Sequence, residues 1–408
     1  MRIAVVGSGV AGLVAAHRLH RRHEITLFEA DDRIGGHVHT VQLAVGGAVR
    51  SVDTGFIVFN ESNYPRFTAL LAELGVASEP TSMSFSVRSD ADDLEFNGSS
   101  LDQLFVQRRN LVRPSFYRML REIARFNRAA PRDVETGLAT GTLADYLDRN
   151  RYGVEVRRDY LVPMGSALWS LPPASVLAMP VSFFVQFFSN HGMLSVNRRP
   201  TWRVVSRGSQ RYVEALVTPF RDRIRLATPV TAVRRFSDHV TVNGERFDRV
   251  VLACHSDDAL AMLLDPTEAE REILGALPYQ ENDVVLHSDD SLLPRRRAAW
   301  GSWNYRVGRS PEDPALVTYN MNMLQSLDAP VTFCVSLNAN DQIRSDRVYR
   351  RLRYRHPVYT LAGVAAQERH QEISTGRTHY CGAYWGYGFH EDGVRSAERV
   401  VAAIEAGT

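Results

Sequence analysis

A glycine-rich turn between a predicted strand and a predicted helix constrains this 408-residue chain more than any other feature. The turn has a GxGxxG pattern, formed by Gly7, Ser8, Gly9, Val10, Ala11 and Gly12. It follows an apolar run at residues 2–6 and opens a stretch at residues 10–19 whose apolar residues have helical spacing. In such a turn the first glycine permits the tight bend, the second lets the backbone approach a pyrophosphate, and the third allows close helix–strand packing. Because the start of the helix also offers unpaired N–H groups to an anion, the sequence predicts a βαβ unit that binds a dinucleotide.

An acidic residue ends the next predicted strand, where a carboxylate can accept hydrogen bonds from ribose hydroxyls. This residue is Glu29, and Ala30 follows it. A second glycine-containing loop comes next, formed by Arg33, Ile34, Gly35, Gly36 and His37. A second loop whose backbone comes close to the cofactor has no role in a simple NAD site. Such a loop suits a cofactor that continues past the pyrophosphate. We therefore expect FAD as the cofactor.

The rest of the chain changes character several times. An aromatic and arginine-rich stretch with proline breaks extends to residue 197, strand-like sequence returns at residues 224–254, and a strand at 378–383 precedes a helix at 393–404. We predict an α/β fold with an FAD-binding domain made of residues 1–78, 198–268 and 372–408. An interleaved mixed α+β substrate domain is predicted from residues 79–197 and 269–371.

These motifs resemble those of the flavin-containing amine oxidase superfamily. The matching stretches are GSGVAGLVAAHRL (7–19), ITLFEADDRIGGH (25–37), DTGF (53–56), ATPVTAVRR (227–235) and CGAYWGYGFHEDGVRSAERV (381–400). The resemblance implies a Rossmann-type FAD-binding domain of the amine oxidase kind. It implies that the backbone of Val230 meets the adenine and that Thr54, Gly55 and Phe56 lie against the flavin. It also implies that Asp392, Gly393 and Val394 start a helix whose N-terminus meets flavin N1 and the C2 carbonyl, where it would stabilise the charge of the reduced flavin.

Two departures from the superfamily pattern bear on the substrate. His37 stands where arginine is frequent, and all 48 basic residues of the chain are arginine. Many amine-oxidising members use a lysine that holds a water near flavin N5, and this chain has no lysine. The combination GGHVHT, VDTGFIVFNESNYP, NHGML, AWGSWNY and GAYWGYGFHEDG is similar to bacterial amine-oxidase-like flavoproteins that accompany cyclopropane-fatty-acid-synthase-type methyltransferases. This closer resemblance implies desaturation of methylated fatty acyl chains and a methyltransferase partner.

Desaturation removes a proton as well as a hydride, and histidine suits proton transfer near neutral pH. The histidines considered are His37, His39, His287 and His390, while Glu391 can act as a base or cap the following helix. The loop after the last strand carries Tyr384, Trp385, Tyr387 and Phe389. These residues can wall a slot for an acyl chain, form an aromatic cage for an amine, or pack on the flavin. As catalytic candidates we select His37, Trp385, Tyr387 and His390. A lipid tunnel or an ordinary core can be formed by Phe183, Phe184, Phe187, Phe188, Met193, Leu194 and Trp202.

A predicted amphipathic helix at residues 114–128 bears on the location of the protein. One face carries Arg118, Arg121, Arg125 and Arg128, and the other carries Met119, Leu120, Ile123 and Phe126. Such a helix can lie on an anionic bilayer or cover an ordinary core. Peripheral contact with the inner face of the membrane is therefore one hypothesis.

Composition narrows the remaining function classes. A net charge of +2 argues against a general nucleic-acid binder, and no metal-ligand spacing stands out. The widely spaced Cys254, Cys334 and Cys381 indicate buried thiols in a reducing compartment. The first strand begins at Arg2, leaving no room for a signal peptide, and no apolar run reaches the roughly 20 residues of a membrane span. We expect a cytoplasmic location.

The hypothesis that unites these observations is an FAD-dependent oxidoreductase that takes a hydride from a lipid-like substrate and desaturates an acyl chain. Three alternatives stay open. They are an amine oxidase that lacks the usual lysine, a redox-neutral double-bond isomerase, and a non-catalytic flavoprotein partner of a methyltransferase.

Overall fold

A five-stranded parallel sheet is built from three distant parts of the chain. The computed structural model describes residues 1–195, 200–310, 312–374 and 376–407. In spatial order the strands are Ile224–Arg225, Glu24–Phe28, Arg2–Val6, Arg249–Leu252 and Thr378–Tyr380. Successive residues of the first strand face opposite sides, so Ile3 and Val5 enter one hydrophobic core whereas Ala4 and Val6 enter another. Burial on both faces explains why this strand is a continuous apolar run.

Two helices lie side by side on one face of this sheet. Val10–Leu19 and His390–Ala406 contact each other along their length and share one core with the helix Gln210–Val217. A Cβ on Gly393 would lie 2.5 Å from Cγ1 of Val10, so the two helices begin next to each other. A three-stranded antiparallel sheet covers the other face, formed by Val233–Arg235, Val240–Val242 and Glu245–Phe247.

A second, seven-stranded sheet takes its strands from the two inserted stretches. Its order is Val348–Pro357, Tyr279–His287, Cys334–Leu337, Leu316–Asn320, Trp303–Arg306, Phe85–Ser89 and Leu94–Asn97. All neighbours are antiparallel except Trp303–Arg306 and Phe85–Ser89, which pair in parallel. Helices including Pro114–Glu135, Leu143–Arg149, Val162–Trp169 and Val181–Asn190 pack into the adjoining aromatic core.

Smaller elements connect these layers. The strands Thr40–Val45 and Ala48–Asp53 form a hairpin, and Val58–Asn60, Trp202–Val205 and Ser78–Pro80 form a third antiparallel sheet. The remaining α-helices of four or more residues in the described part of the chain are Pro65–Glu73, Leu101–Leu104, Pro173–Leu177, Ser256–Met262, Glu268–Gly275, Met321–Leu324, Leu361–Glu368 and His370–Ile373. Among the described residues, no helix combines the length and the apolar character needed to cross a membrane.

The predicted α/β class is confirmed, while several element boundaries differ. The last helix begins at His390, three residues before the predicted Gly393, because the Asp392 side chain accepts backbone hydrogen bonds from the loop before it. Pro114–Glu135 is longer than the predicted 114–128. The five domain segments stay a prediction, and their boundary between residues 197 and 198 lies outside the described residues.

Candidate active site

The glycine turn leaves open space in front of its second glycine. Gly7 has φ of +101°, and a Cβ there would lie 2.9 Å from the carbonyl oxygen of Ala253. A Cβ on Gly12 would lie 1.9 Å from the carbonyl oxygen of Gly7, so the helix packs directly on the turn. Gly9 differs from both, because a Cβ there would meet no atom within 4 Å. The space in front of Gly9, at the start of the helix Val10–Leu19, fits a pyrophosphate bound by backbone N–H groups.

The carboxylate of Glu29 lies beside this turn. Its two oxygens accept hydrogen bonds from the backbone N–H groups of Ser8, at 2.8 Å, and Asp31, at 2.9 Å. Each carboxylate oxygen retains a further acceptor position, so both can also accept from ribose hydroxyls. Ala30, between Glu29 and Asp31, is exposed.

A neighbouring loop brings Val230 to the same end of the sheet. The backbone N–H of Ala227 donates to the carbonyl of Asp31, and that of Thr228 donates to the carbonyl of Glu29, both at 2.8 Å. No hydrogen bond reaches the backbone of Val230 from the described residues. Its peptide groups are therefore available to an adenine edge, as the resemblance implies.

The second glycine loop packs against the first. A Cβ on Gly36 would lie 3.0 Å from Cα of Gly9, and Gly35 donates its N–H to the carbonyl of Ser8 at 3.1 Å. The positive φ angles of Gly35 (+118°) and Gly36 (+58°) make this turn possible. Arg33 donates to the carbonyls of Gly36, at 2.7 Å, and Val38, at 3.1 Å. The Arg33 guanidinium therefore stabilises the glycine loop to which it belongs.

Three predicted site segments meet at the Thr54–Phe56 loop. The N–H groups of Thr54 and Phe56 donate to the carbonyls of His39 and His37, at 2.9 and 3.0 Å. A Cβ on Gly55 would lie 2.0 Å from the carbonyl oxygen of His37, so this close contact requires glycine. The loop is fixed from below by the buried Asp53, which accepts hydrogen bonds from Ser209, Thr40 and Gln325.

His390 is packed inside this junction. Its ring stacks on Phe56, with ring centres 3.5 Å apart, and its Nε2 lies 2.8 Å from the Tyr212 hydroxyl. Burial lowers the pKa of His390 to about 3. Both the stacking and the hydrogen bond hold the start of the last helix, and a catalytic role of His390 stays a prediction.

The acids at the start of the last helix serve the backbone. Asp392 accepts hydrogen bonds from the N–H groups of Tyr387, at 3.0 Å, and Phe389, at 3.2 Å. Burial raises the pKa of Asp392 to about 6, although Arg395 opposes this shift. One interpretation of the sequence is that Glu391 caps its own helix, and this interpretation is wrong. The Glu391 carboxylate accepts from the N–H groups of Arg66 and Phe67 and so caps the neighbouring helix Pro65–Glu73.

His37 belongs to a cluster of three imidazoles. Its ring centre lies 6.1 Å from that of His255 and 5.2 Å from that of His356, and Tyr354 lies at 5.0 Å. Nδ1 of His356 lies 3.0 Å from the amide nitrogen of Asn282. Burial lowers the pKa of each of the three histidines to about 3. His37 Nε2 has no hydrogen-bond partner among the described residues.

Sequence reasoning missed His255 and His356. They lie on different elements, one after the strand Arg249–Leu252 and the other on the strand Val348–Pro357. No local spacing connects either of them to His37, so only the folded sheet arrangement reveals the cluster.

The other predicted histidines differ from His37. Both ring nitrogens of His287 are used inside the seven-stranded sheet, where Nε2 lies 2.8 Å from the Ser336 hydroxyl and Nδ1 accepts from the N–H of Asp289. His39 flanks the glycine loop and has a buried Nδ1 without a partner in the described part of the chain. Burial lowers its pKa to about 4.

The predicted aromatic wall after the last strand is divided in two. Tyr384 and Trp385 are buried in the core beside the parallel sheet, where the Trp385 ring lies 4.6 Å from His370. Tyr387 and Phe389 instead contact the helical core. The two pairs enter different cores because the short helical turn at 383–385 ends at Gly386, which lies between them. A substrate slot walled by these residues stays a prediction.

Tyr387 and Phe389 extend an aromatic cluster of the inserted helices. Ring centres of Tyr387 and Phe183 are 4.6 Å apart, and those of Phe389 and Phe187 are 4.9 Å apart. The buried Tyr359 ring stacks on Phe183 at 4.6 Å, and its hydroxyl has no partner among the described residues. Of the seven predicted tunnel residues, Phe184 and Phe188 pack within the helical core, whereas Phe183 and Phe187 reach the site loop. Met193 and Leu194 lie at the edge of that core, and the Trp202 ring is stacked 6.1 Å from His191.

Comparison with known proteins agrees with this arrangement. Residues 10–294 match the model of the family described as flavin containing amine oxidoreductase. The flavin-dependent L-tryptophan oxidase RebO of Lentzea aerocolonigenes is 51% identical over 55 residues, which cover 13% of this chain and 12% of that enzyme. AofH of Mycobacterium tuberculosis, named for a flavin-containing monoamine oxidase, is 25% identical over 345 residues, or 78% of this chain and 70% of its own length.

Solved structures show the same fold along the whole chain. Cyclohexylamine oxidase from Brevibacterium oxydans superposes with a TM-score of 0.70 at 16% identity, covering 100% of this chain and 99% of its own. A protein from P. acnes described as a CLA-producing fatty acid isomerase superposes with a TM-score of 0.68 at 14% identity, covering 98% of each chain. The chain belongs to the flavin-containing amine oxidoreductase family and is an FAD-dependent oxidoreductase.

Proposed function

We propose that this oxidoreductase takes a hydride from a lipid-like acyl chain and leaves a carbon–carbon double bond. The observation that carries the proposal is the aromatic cluster formed by Tyr387, Phe389, Phe183, Phe187 and Tyr359. It adjoins the start of the last helix, which itself begins beside the glycine turn. An apolar wall therefore lies next to the region that fits the cofactor.

Such a wall favours methylene groups over a cation. Each buried methylene contributes about 0.8 kcal/mol, so a long acyl chain gains orientation from its length. An amine arrives mostly as an ammonium ion, which loses its hydration at such a wall, and cation–π contact with the rings returns only part of that free energy. The nearby Asp392 does not offer its carboxylate freely, because backbone N–H groups and Arg395 already occupy it. The absence of lysine also removes the residue that many amine-oxidising relatives use.

The chemistry requires two hydrogens to leave the substrate. Conversion of CH2–CH2 to CH=CH releases one hydrogen as a hydride and the other as a proton. When bound, FAD supplies the hydride acceptor, and the flavin is later reoxidised by oxygen or another acceptor. The chain must supply the proton acceptor, and we assign this role to the imidazole cluster around His37. Nε2 of His37 has no competing partner among the described residues, so this nitrogen is open to the substrate proton.

The other catalytic candidates take different parts in this proposal. Tyr387 contributes to the substrate wall, with its backbone N–H held by Asp392. His390 positions the Phe56 loop, and Trp385 supports the loop from the core. The residues proposed to hold FAD are the glycine turn, Glu29 with Ala30, the loop from Arg33 to His37, the Thr54–Phe56 loop, Val230, and the helix start at Asp392, Gly393 and Val394.

Two further functions have specific support. The fold also occurs in a protein described as a fatty acid isomerase, which favours the redox-neutral isomerase as a variant of acyl chemistry. Amine oxidation is favoured by the names of AofH and cyclohexylamine oxidase. A methyltransferase partner and peripheral contact with the inner face of the membrane remain parts of the proposal.

Anaerobic mixing tests the proposed function. The purified holoenzyme is mixed with phospholipid, free fatty acid or amines while flavin absorbance is followed. We expect bleaching by acyl substrates alone. The Tyr387→Ala variant should raise the acyl concentration required, whereas the matched Tyr387→Phe variant, which keeps the ring, should behave like the wild type. Bleaching by amines only would favour the amine oxidase, and silence with every substrate would favour the non-catalytic partner.

A further inference from the structure

Five large apolar side chains are exposed on one part of the inserted helical region. The exposed fractions are 82% for Val112, 77% for Leu101, 62% for Val154, and 47% each for Leu111 and Tyr117. Scattered single exposed apolar residues are normal on a protein surface, whereas a contiguous group marks an interaction site. The question is therefore whether these five side chains lie together.

Contacts hold the segments that carry these side chains next to one another. The Tyr117 hydroxyl donates to the carbonyl of Leu111 at 3.0 Å, which ties the helix Pro114–Glu135 to the turn at residues 108–112. The ring of Phe105 lies 6.0 Å from that of Tyr117, and the N–H of Phe105 donates to the carbonyl of Leu101. On the other side, Val154 and Arg113 line the same small cavity of about 170 Å³. We call the surface formed by Leu101, Leu111, Val112, Tyr117 and Val154 the apolar tip.

Arginine is interleaved with the apolar tip. Residues 101–128 contain seven arginines and two acidic residues. Four of the arginines are paired with acids: Arg108 with Asp102, Arg109 with Asp93, Arg118 with Glu155, and Arg125 with Glu122 at 3.7 Å. Arg125 packs over the Tyr152 ring at 3.9 Å. Arg121 and Arg128 have no ion-pair partner among the described residues, so only part of the predicted arginine face is free.

We infer that the apolar tip docks on the surface of an anionic lipid bilayer. Leu111 and Val112 would enter the boundary between headgroups and acyl chains, and the surrounding arginines would meet lipid phosphates. Leu111 and Val112 are followed directly by Arg113, and Arg113, Arg121 and Arg128 have no ion-pair partner among the described residues. Charge complementarity selects the occupant, because apolar side chains beside these free arginines match a layer of anionic headgroups over hydrocarbon. The inference rests on the proposed function in one respect: an acyl substrate has to leave the membrane to reach the aromatic cluster.

Vesicle co-sedimentation of the holoenzyme tests the docking. Vesicles of phosphatidylcholine with phosphatidylglycerol are compared with vesicles of phosphatidylcholine alone. We expect binding to the anionic vesicles that weakens with salt, because exposed charges are screened. The double variant Leu111→Ser, Val112→Ser should bind at least about 10-fold more weakly, since two aliphatic side chains no longer enter the bilayer. The matched control is Leu361→Ser, which removes an equally large side chain that is 51% exposed elsewhere.

Other outcomes identify which idea fails. Undiminished vesicle binding by the double variant, or no binding of wild type to anionic vesicles at low salt, would overturn the docking surface. If the wild type self-associates and does not bind vesicles, and the double variant no longer self-associates, the apolar tip is a protein interface instead. Flavin bleaching by a short, water-dispersed fatty acid separates the two proposals, because it does not require a membrane. If the double variant retains this bleaching but no longer binds vesicles, both the proposed function and the docking surface are supported. If the wild type binds vesicles and no acyl substrate bleaches the flavin, only the docking surface is supported.

Discussion

Replacement of Gly9 separates cofactor binding from folding. A Cβ at Gly9 meets no protein atom within 4 Å, and its φ of −65° is ordinary for any residue. We therefore expect Gly9→Val to change the free energy of unfolding of the apoprotein by no more than about 0.5 kcal/mol. The added side chain would occupy the space in front of the helix Val10–Leu19 that fits the pyrophosphate.

The expected effect on FAD affinity is large. Loss of two charge-assisted hydrogen bonds, at about 1.5–3 kcal/mol each, corresponds to about 100- to 10,000-fold weaker binding. Titration of the apoprotein with FAD, followed by flavin fluorescence, measures the affinity, and thermal unfolding of the same samples measures stability. The purified variant should be colourless.

Two control variants sharpen this test. Gly98→Val adds the same side chain where nothing lies within 4 Å, away from the site, and should leave both quantities unchanged. Gly12→Val should damage folding itself, because its Cβ would lie 1.9 Å from a backbone oxygen. Full flavin content in Gly9→Val would refute the placement of the pyrophosphate.

Three further predictions concern affinity and stability. Glu29→Ala should weaken FAD binding about 10- to 100-fold by apoprotein titration with the fold intact, because charge-assisted hydrogen bonds to the ribose are lost; unchanged affinity would mean that Glu29 does not meet the ribose. Asp53→Asn should lower the free energy of unfolding by about 1–3 kcal/mol, measured by urea unfolding, since an amide cannot accept every hydrogen bond that the buried carboxylate accepts; a stability equal to wild type would contradict this. Stability should also fall as the pH drops from about 6.5 towards 4. In this range the histidines of the unfolded chain take up protons, whereas the buried histidines of the folded protein, with pKa lowered to about 3 or 4, do not. Each such histidine contributes about 1.4 kcal/mol per pH unit. The buried histidines whose pKa is lowered to about 3 or 4 are His191, His287, His370, His379 and His390. Asp53 and Asp392, whose pKa values are raised to about 6, stabilise the folded protein as the pH falls, but they are fewer than the histidines. A free energy of unfolding that rises on acidification would contradict this prediction.

Local patterns allowed much of the cofactor region to be predicted. Gly7, Gly12 and Gly55 each face a backbone oxygen at a distance that excludes a Cβ, so their identity follows from short-range geometry that a sequence motif can encode. The burial of Ile3 to Val6 on both faces of the sheet likewise follows from the apolar run. FAD as the cofactor and the oxidoreductase class are confirmed by the family match.

Long-range contacts account for what the sequence could not predict. His255 and His356 reach His37 only because the end of one parallel strand meets the edge of the second sheet. Glu391 follows a helix start, and nothing local indicates that its carboxylate caps Pro65–Glu73 instead. Similarly, the adjacent aromatic residues Trp385 and Tyr387 enter different cores because the backbone turns between them.

The most direct test of acyl desaturation is the mass of the product after a single anaerobic turnover. A fatty acid deuterated along its chain is mixed with holoenzyme, and the product is analysed by mass spectrometry while flavin absorbance is followed. We expect a product that has lost two deuterium atoms from its chain, in an amount equal to the amount of flavin bleached. A product of unchanged mass with a moved double bond would show isomerisation, and an unaltered fatty acid beside rapid bleaching by an amine would contradict acyl oxidation.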